Sequence, residues 1–252
     1  MSNTPAASID ALCEEVKQVL PARFSKDSWY LIVVTDWLAQ AASLVASGQP
    51  SALTSLYTYI TEEDPGHRGL SYEDERLLKA RLGDLLMKEW TLVGIPTVVV
   101  AVTALAKAEK EVQERDMKVP EKRINIDNDF IMERGTKFLQ KLYKENLSPI
   151  FSTWGSYGPD FEWMEKAIIY GLFLSDHELL SPTETSLVTL SSIMCQGLAA
   201  PTIWHLRGLR RLGVSEADVE LVQRAIEIVA KWAGRDVQGW PRVTDIPDAI
   251  KE

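Results

Sequence analysis

The sequence contains few cysteines and few histidines, and its basic residues do not outnumber its acidic ones. Each of these features excludes a class of protein. Two cysteines, Cys13 and Cys195, lie far apart and cannot build a disulfide framework. Three histidines, His67, His177 and His205, supply few nitrogen ligands, so we expect no metal site. The 27 basic residues are scattered among 36 acidic ones, with a formal net charge of -9, so nucleic acid is not an expected partner.

Apolar runs long enough to cross a bilayer are also lacking. The longest run, residues 93–106, is short and contains Pro96, and residues 29–46 carry Asp36 and Gln40 in their middle. The first residues contain acids where a signal peptide would be apolar. The sequence therefore predicts buried helices, no membrane partner and a cytoplasmic location.

Helical periodicity dominates what is present. Apolar residues recur at three- and four-residue steps through nearly every segment, and alternating β-branched runs are absent, so we expect an all-α protein. With 46% hydrophobic residues over 252 positions, the chain can bury one large core or two small ones. Helices are predicted at residues 9–20, 29–46, 52–60, 72–88, 127–145, 183–197 and 216–232, with two more opened by Pro96 and Pro201.

A charged stretch predicts a division of the chain. Residues 113–126 are interpreted as a connector between an N-terminal helical half, residues 1–112, and a C-terminal half, residues 127–252. Each half has a Leu-Ser dipeptide that opens one helix and a Pro-Thr dipeptide that opens the next. This similarity predicts a repeat that aligns Val100 with His205, although any two helical hairpins look partly alike.

His205 is the leading candidate for chemistry. On a helix opened by Pro201 it shares a mainly apolar face with Thr202, Leu209 and Leu212, so its imidazole is expected to point inward. A buried neutral imidazole can take or give a proton near neutral pH. The alternative is a core histidine whose only role is a hydrogen bond to a backbone carbonyl.

Other candidates for the site have plain structural alternatives. Glu184 occupies the N3 position of a capping box opened by Ser181, and it matters for catalysis only if packing brings it to His205. Cys195 is more readily a small core residue than a nucleophile. Aromatic residues at helical spacing usually belong to a core, but they can also line a substrate pocket. The predicted pocket residues are three aromatic ones, Trp154, Tyr170 and Trp204, together with Cys195.

Two further groups of residues are expected at the surface. Arg207, Arg210 and Arg211 project from the side of their helix opposite to the apolar face, where they would meet solvent or another subunit. His67 lies in a predicted loop and His177 at a predicted helix end, so both are expected to be exposed.

Three motifs occur in a recognisable order between Trp163 and Val222. They are Tyr170-Gly171, the stretch LSPTETSLVTL at residues 180–190, and the stretch HLRGLRRLGVSEADV at residues 205–219. In order and spacing they resemble the carboxymuconolactone decarboxylase and alkylhydroperoxidase D superfamily. The resemblance implies an alkylhydroperoxidase D-like helical fold with two pseudo-repeats, in which residues 70–106 are a decayed first copy.

The resemblance also separates two branches of that superfamily. The peroxidase branch uses a Cys-x-x-Cys pair shortly before its histidine, and the matching positions here hold Leu198 and Pro201. The decarboxylase branch needs no thiols, and the resemblance implies an acid-base role for His205, with Glu184 as its loosely matched acid. The segment Glu184-Thr185-Ser186 stands where that branch commonly has an Arg-Glu pair, which leaves the contact to the substrate's anionic group open.

The leading interpretation is a cofactor-independent enzyme that transfers a proton, with or without loss of carbon dioxide. Its substrate would be a small cyclic or lactone-like organic acid. One alternative is a catalytically silent member whose helices serve oligomerisation or ligand binding, and a thiol peroxidase would require Cys13 and Cys195 to meet. Because the resemblance implies assembly through helical hairpins, we expect a homo-oligomer, either a dimer or a trimer.

Overall fold

All regular structure in the described part of the chain is helical. A computed structural model describes residues 8–35, 50–112 and 126–246, and no strand occurs within these ranges. The prediction of an all-α protein is confirmed. The predicted connector at 113–126, apart from its last residue, and residues 36–46 of the second predicted helix lie outside the described residues.

The N-terminal half is built from α-helices with one π-helical extension. The π-helix directly continues α4, and Gly94, with a φ of 89°, makes the turn between α5 and α6. The elements are α1 (Ile9–Val19), α2 (Ala22–Ser25), α3 (residues 29–35), α4 (Pro50–Thr58), the π-helix Tyr59–Glu63, α5 (Tyr72–Leu92) and α6 (Ile95–Val112).

The C-terminal half contains more irregular helix between its first and its later long helices. Short 3-10 turns at residues 144–146 and 155–157 separate the small helices from one another. The elements are α7 (Asn128–Tyr143), α8 (Leu147–Ser152), α9 (Gly158–Trp163), the π-helix Met164–Leu174, α10 (Pro182–Cys195), α11 (Ala199–Arg211), α12 (Glu216–Trp232) and a 3-10 turn at Val243–Asp245.

Polar side chains set the starts of several long helices. Ser71, Ser181 and Ser215 each accept a hydrogen bond from the backbone N–H three residues later, which satisfies one of the free donors of the first turn. At Ser181 the full capping box forms, because Glu184 also accepts from the Ser181 amide. The three helix starts that the sequence predicted at these serines are confirmed.

One hydrophobic core extends through both halves. Val16 of α1, Leu85 of α5, Leu190 of α10 and Val222 of α12 all belong to it and are almost completely buried. The two halves therefore do not fold around separate cores. A second, smaller cluster joins α7, α8 and the π-helix Met164–Leu174, and α11 packs beside it.

Two glycines let α7 and the π-helix Met164–Leu174 approach at backbone distance. A Cβ atom on Gly135 would overlap the Lys166 carbonyl and the Gly171 backbone, and one on Gly171 would lie 2.5 Å from the Ile131 carbonyl. No side chain fits between these helices. The close approach fixes the position of Tyr170, the residue before Gly171.

The buried positions of α6 and α11 align the two helices one residue away from the predicted repeat alignment. Positions 98, 101, 104 and 105 of α6 are buried, and so are positions 202, 205, 208 and 209 of α11. This pattern pairs His205 with Ala101, which is 0% exposed, whereas Val100 is 49% exposed. The burial pattern therefore does not support the alignment with Val100, and the repeat itself stays a prediction. Among the described residues, no helix has the length and apolar character to span a membrane.

Candidate functional site

His205 ends a chain of three buried polar groups. His205 is 7% exposed, and its Nε2 atom lies 3.1 Å from the hydroxyl oxygen of Tyr143 on α7. That hydroxyl lies 3.0 Å from the hydroxyl of Tyr170 on the π-helix. The Tyr143 ring meets the Tyr170 and His205 rings edge to face. Three helices thus bring together one imidazole and two phenols, which we call the Tyr–Tyr–His chain.

Burial keeps the Tyr–Tyr–His chain uncharged at neutral pH. It lowers the pKa of His205 to about 4, so the imidazole is neutral. It raises the pKa of the Tyr143 and Tyr170 hydroxyls above their ordinary value. Tyr143 can donate to Nε2 while accepting from Tyr170, or accept from Nε2–H while donating to Tyr170. A proton can therefore be passed in either direction along the chain.

A carboxyl group that the sequence analysis missed lies near the two tyrosines. Burial raises the pKa of Glu165 to about 7, and the negative charge of Glu165 in turn raises the pKa of Tyr143 and Tyr170. A carboxyl group with this pKa is partly protonated at neutral pH and can act as an acid or a base. The structure thus offers two candidate proton-transfer groups: His205, which lies within hydrogen-bond distance of Tyr143, and Glu165, whose charge acts on both tyrosines.

The π-helix explains why the sequence concealed Glu165. Glu165 and Tyr170 are five residues apart. In an α-helix this spacing would turn the two side chains about 140° away from each other. The i to i+5 hydrogen bonds of a π-helix place them on successive turns of one side. A search for helical faces at α-helical spacing therefore separates two residues that the structure brings together.

An open groove of about 710 Å³ lies between α7, α8 and α9, and no residue of the Tyr–Tyr–His chain is among those that line it. Gln140, Lys144 and Lys166 contribute polar groups to its lining, and Phe151 contributes an apolar wall. Tyr143 directly precedes Lys144 in the chain. Lys144 has a φ of 47°, a conformation that favours glycine and that is found at functional sites more often than elsewhere. The groove can admit a small organic molecule next to Lys144 and Lys166, which are the sequence neighbours of Tyr143 and Glu165.

Three of the four predicted pocket residues belong to the cluster around this chain. Tyr170 is part of the chain itself, and Trp154 and Trp204 are half-buried against the same cluster. The Trp154 ring lies on Phe151, which lines the groove, with centroids 4.8 Å apart. Cys195, in contrast, is 1% exposed within the large core and does not join this cluster.

Glu184 belongs to a different polar network. Its Oε1 accepts from the Arg81 guanidinium at 2.5 Å and from the Ser28 hydroxyl at 2.9 Å, and its Oε2 accepts from the Ser181 amide at 2.9 Å. The ion pair with Arg81 and these hydrogen bonds hold the pKa of Glu184 below its ordinary value despite burial. Through these bonds the carboxylate joins α5 to α10. It is therefore not placed beside His205 as the sequence analysis required.

Arg211 is buried, against the expectation of a solvent-facing or intersubunit arginine. Its side chain is 1% exposed, and its guanidinium donates to the Leu142 carbonyl at 2.9 Å and to the Asn146 side chain at 2.8 Å. These bonds fasten the end of α11 to the end of α7. They hold the helix that carries His205 against the helix that carries Tyr143.

The other two histidines are also less exposed than expected. His67 is 8% exposed, and its Nδ1 atom lies 2.5 Å from Asp64. His177 is half-buried with its ring 4.5 Å from the Phe138 centroid, and burial lowers its pKa to about 4. Both expectations of exposure are wrong, because the loops before α5 and α10 fold back onto the helices.

The two cysteines offer no support for thiol chemistry. Both are buried, and neither forms a disulfide. Burial raises the pKa of the Cys13 thiol to about 12, so it stays protonated at neutral pH. In the described part of the chain no group of three or more His, Cys, Asp or Glu side chains is arranged to hold a metal ion.

A second missed carboxyl group lies in the large core, away from the groove. Glu89 of α5 is 0% exposed, and the Ser192 hydroxyl of α10 lies 2.7 and 2.8 Å from its two oxygens. Burial raises the pKa of Glu89 to about 8, although the Ser192 and Thr35 hydroxyls act in the opposite direction. The group is therefore mostly a neutral acid at pH 7.

Glu89 should make the protein less stable as the pH rises. The folded chain keeps this proton up to about pH 8, whereas an unfolded glutamate loses it near pH 4.3, so the folded state binds the extra proton between these values. The free energy of unfolding should fall by up to about 1.4 kcal/mol per pH unit in that range. In Glu89→Gln we expect this slope to disappear in urea denaturation between pH 5 and 8. The exposed Glu73→Gln variant should keep the slope, and a Glu89→Gln protein with the parent slope would contradict the assignment.

Comparison with known proteins gives one distant relative. No family model and no solved structure matches the sequence. Among curated proteins the chain is similar to Peroxisomal protein 2 of Saccharomyces cerevisiae (strain ATCC 204508 / S288c), with 20% identity over 260 residues. The similarity covers 83% of this chain and 89% of the yeast protein, so it includes residues of both helical halves. The name of the yeast protein states a location and no activity.

Proposed function

We propose that this chain is a cofactor-independent acid-base enzyme acting on a small cyclic or lactone-like organic acid. The observation that carries the proposal is the buried Tyr–Tyr–His chain, in which Tyr143 directly precedes Lys144 of the groove lining. The reaction would move a proton to or from a carbon atom, by isomerisation or with loss of carbon dioxide. Membership of the carboxymuconolactone decarboxylase and alkylhydroperoxidase D superfamily, with two pseudo-repeats, is part of this proposal and rests on the motif order between Trp163 and Val222.

Each group has a role that follows from its charge at neutral pH. Glu165, with a pKa near 7, would exchange the proton with the substrate carbon. Loss of carbon dioxide breaks a carbon–carbon bond, and the electron pair moves into an enolate whose oxygen needs hydrogen-bond donors. The Tyr143 and Tyr170 hydroxyls would supply them, since hydroxyls in an apolar site stabilise developing negative charge strongly. His205 would hold the Tyr143 hydroxyl in place through the hydrogen bond at Nε2 and share a proton with it.

This assignment moves the acidic role from Glu184 to Glu165. Glu184 already bonds Arg81, Ser28 and Ser181, so its carboxylate is neutralised and used in joining helices. Glu165 has a raised pKa and lies near the two tyrosines. Of the two catalytic residues predicted from the sequence, the proposal therefore keeps His205 and omits Glu184.

Solvent hydrogen exchange tests the proposal before the physiological substrate is known. A panel of unsaturated γ-lactone carboxylic acids in D₂O would be followed by ¹H NMR for deuterium entering at carbon and for loss of the carboxyl group. We expect exchange with the parent protein and a decrease of roughly 10²-fold or more in Tyr143→Phe, which removes the hydroxyl that links His205 to Tyr170.

A second tyrosine provides the matched control for this experiment. Tyr72 is 46% exposed at the start of α5, and Tyr72→Phe should exchange at the parent rate. Equal rates for the parent and Tyr143→Phe would overturn the proposal. A panel without any exchange would instead favour the alternative of a silent member that binds ligands or other subunits.

Association and location remain predictions. A dimer or trimer is expected, and light scattering at micromolar concentration tests it, with a strict monomer as the contradicting result. The sequence favours the cytoplasm, whereas the name of the yeast relative points to the peroxisome. Fluorescence microscopy of the full chain beside a peroxisomal marker distinguishes the two locations.

A further inference from the structure

A small cavity in the N-terminal half has a lining unrelated to the groove. Its volume is about 220 Å³, several times the roughly 30 Å³ that a water molecule occupies in the liquid. It lies between the π-helix Tyr59–Glu63, the loop that follows and the first turns of α5. Its polar lining residues are Thr61, Glu62, His67 and Glu75, and Leu70 and Leu78 supply apolar wall.

A buried carboxylate fixes the orientation of His67. Asp64, whose side chain is 2% exposed, accepts from Lys17 with Oδ1 and lies 2.5 Å from Nδ1 of His67 with Oδ2. A carboxylate at Nδ1 keeps the proton on that nitrogen. In the neutral ring, Nε2 is then left as an acceptor.

The other polar side chains of the cavity offer acceptors as well. The Thr61 hydroxyl donates its proton to the Tyr57 carbonyl at 2.9 Å, so only its oxygen lone pairs remain. The carboxylates of Glu62 and Glu75 can only accept. The Oε1 atom of Glu75 is buried without a hydrogen-bond partner among the described residues, and its ion pair with Lys79 is long, at 3.6 Å.

We infer that this cavity binds a small organic ammonium ion, a primary amine with only a few heavy atoms. An ammonium group brings three donors and no acceptor, which complements the acceptors that the polar side chains of the lining offer. Its positive charge pairs with the carboxylate of Glu62 and shares that of Glu75 with Lys79, and Leu70 and Leu78 can cover its carbon atoms. A neutral polyol would add acceptors where donors are needed.

A matched pair of small molecules tests the inference. Ethanolammonium and ethylene glycol have the same number of heavy atoms and differ at one end, where an ammonium group replaces a hydroxyl. In titrations of ¹⁵N-labelled protein we expect saturable shifts of the Gly69 and Leu70 amides with ethanolammonium chloride. Ethylene glycol and potassium chloride at equal ionic strength should give no saturable shift. Equal binding of the glycol, or saturable shifts with potassium chloride, would overturn the inference.

Single substitutions test whether ethanolammonium binds in this cavity. Glu75→Gln should weaken ethanolammonium binding at least tenfold, because it removes a charge and introduces a donor. Glu62→Gln, at an exposed residue, should weaken it as well and covers the case in which Glu75→Gln disturbs Lys79. Glu73→Gln lies on the same helix, outside the cavity lining, and should bind as the parent does. Unchanged affinity in both cavity variants would refute the site.

Discussion

Replacing His205 with glutamine should lower the rate of carbon exchange by roughly 10² to 10⁴ while the thermal midpoint changes by only a few degrees. Glutamine has a similar size and can still hydrogen-bond the Tyr143 hydroxyl, which lies 3.1 Å from Nε2 in the parent. Its amide cannot take up or release a proton as an imidazole can. The measurements are the NMR exchange rate and the thermal midpoint of the same preparations.

His177 provides the control for the His205 substitution. It is also partly buried, and burial lowers its pKa to about 4 as well, but its ring packs on Phe138 outside the Tyr–Tyr–His chain. His177→Gln should therefore keep the parent exchange rate. If His205 is only a core residue, His205→Gln should lose about 1 to 3 kcal/mol of stability and change the rate only in proportion to unfolding.

Replacing Gly135 with alanine should have the largest effect on stability. The new methyl group would overlap backbone atoms of Lys166 and Gly171, which cannot move aside as a flexible side chain would. We expect the free energy of unfolding to fall by at least about 3 kcal/mol. In a chain of this size such a loss lowers the thermal midpoint by roughly 6 to 12 °C. Differential scanning calorimetry measures it.

Gly83 allows a matched comparison within another helix. It lies inside α5, and a Cβ atom there would meet nothing within 4 Å. Gly83→Ala should therefore stabilise the protein by about 0.5 to 1 kcal/mol, as expected where alanine replaces glycine in a helix without strain. A Gly135→Ala protein as stable as the parent would mean that α7 and the π-helix Met164–Leu174 are farther apart than described.

Local signals in the sequence were sufficient to predict the fold class and most helix starts. The capping serines Ser71, Ser181 and Ser215 act within one turn of the chain, so their effect is visible without tertiary structure. The inward direction of His205 followed from the apolar residues on its own helix face, and its burial confirms that expectation.

The partners of these residues could not be predicted, because they come from distant parts of the chain. Arg81 reaches Glu184 across 103 positions, and Tyr143 reaches His205 across 62. Nothing in the local pattern distinguishes a capping glutamate with an arginine partner from one that faces a pocket. Glu165 was missed for a different reason. The sequence analysis grouped residues at α-helical spacing, whereas Glu165 and Tyr170 lie on one side of a π-helix.

The length of the π-helix Met164–Leu174 has a consequence for comparing this protein with its relatives. A π-helix forms where one residue more than an α-helix needs is accommodated in a turn. In a relative with one residue fewer between Trp163 and Ser175, the side chains after the deletion would turn by roughly 100° relative to those before it. Its tyrosine would then face away from the helix that carries Tyr143, even if each residue type were retained. The spacing of this segment therefore distinguishes relatives that share the candidate chemistry from those that share only the fold.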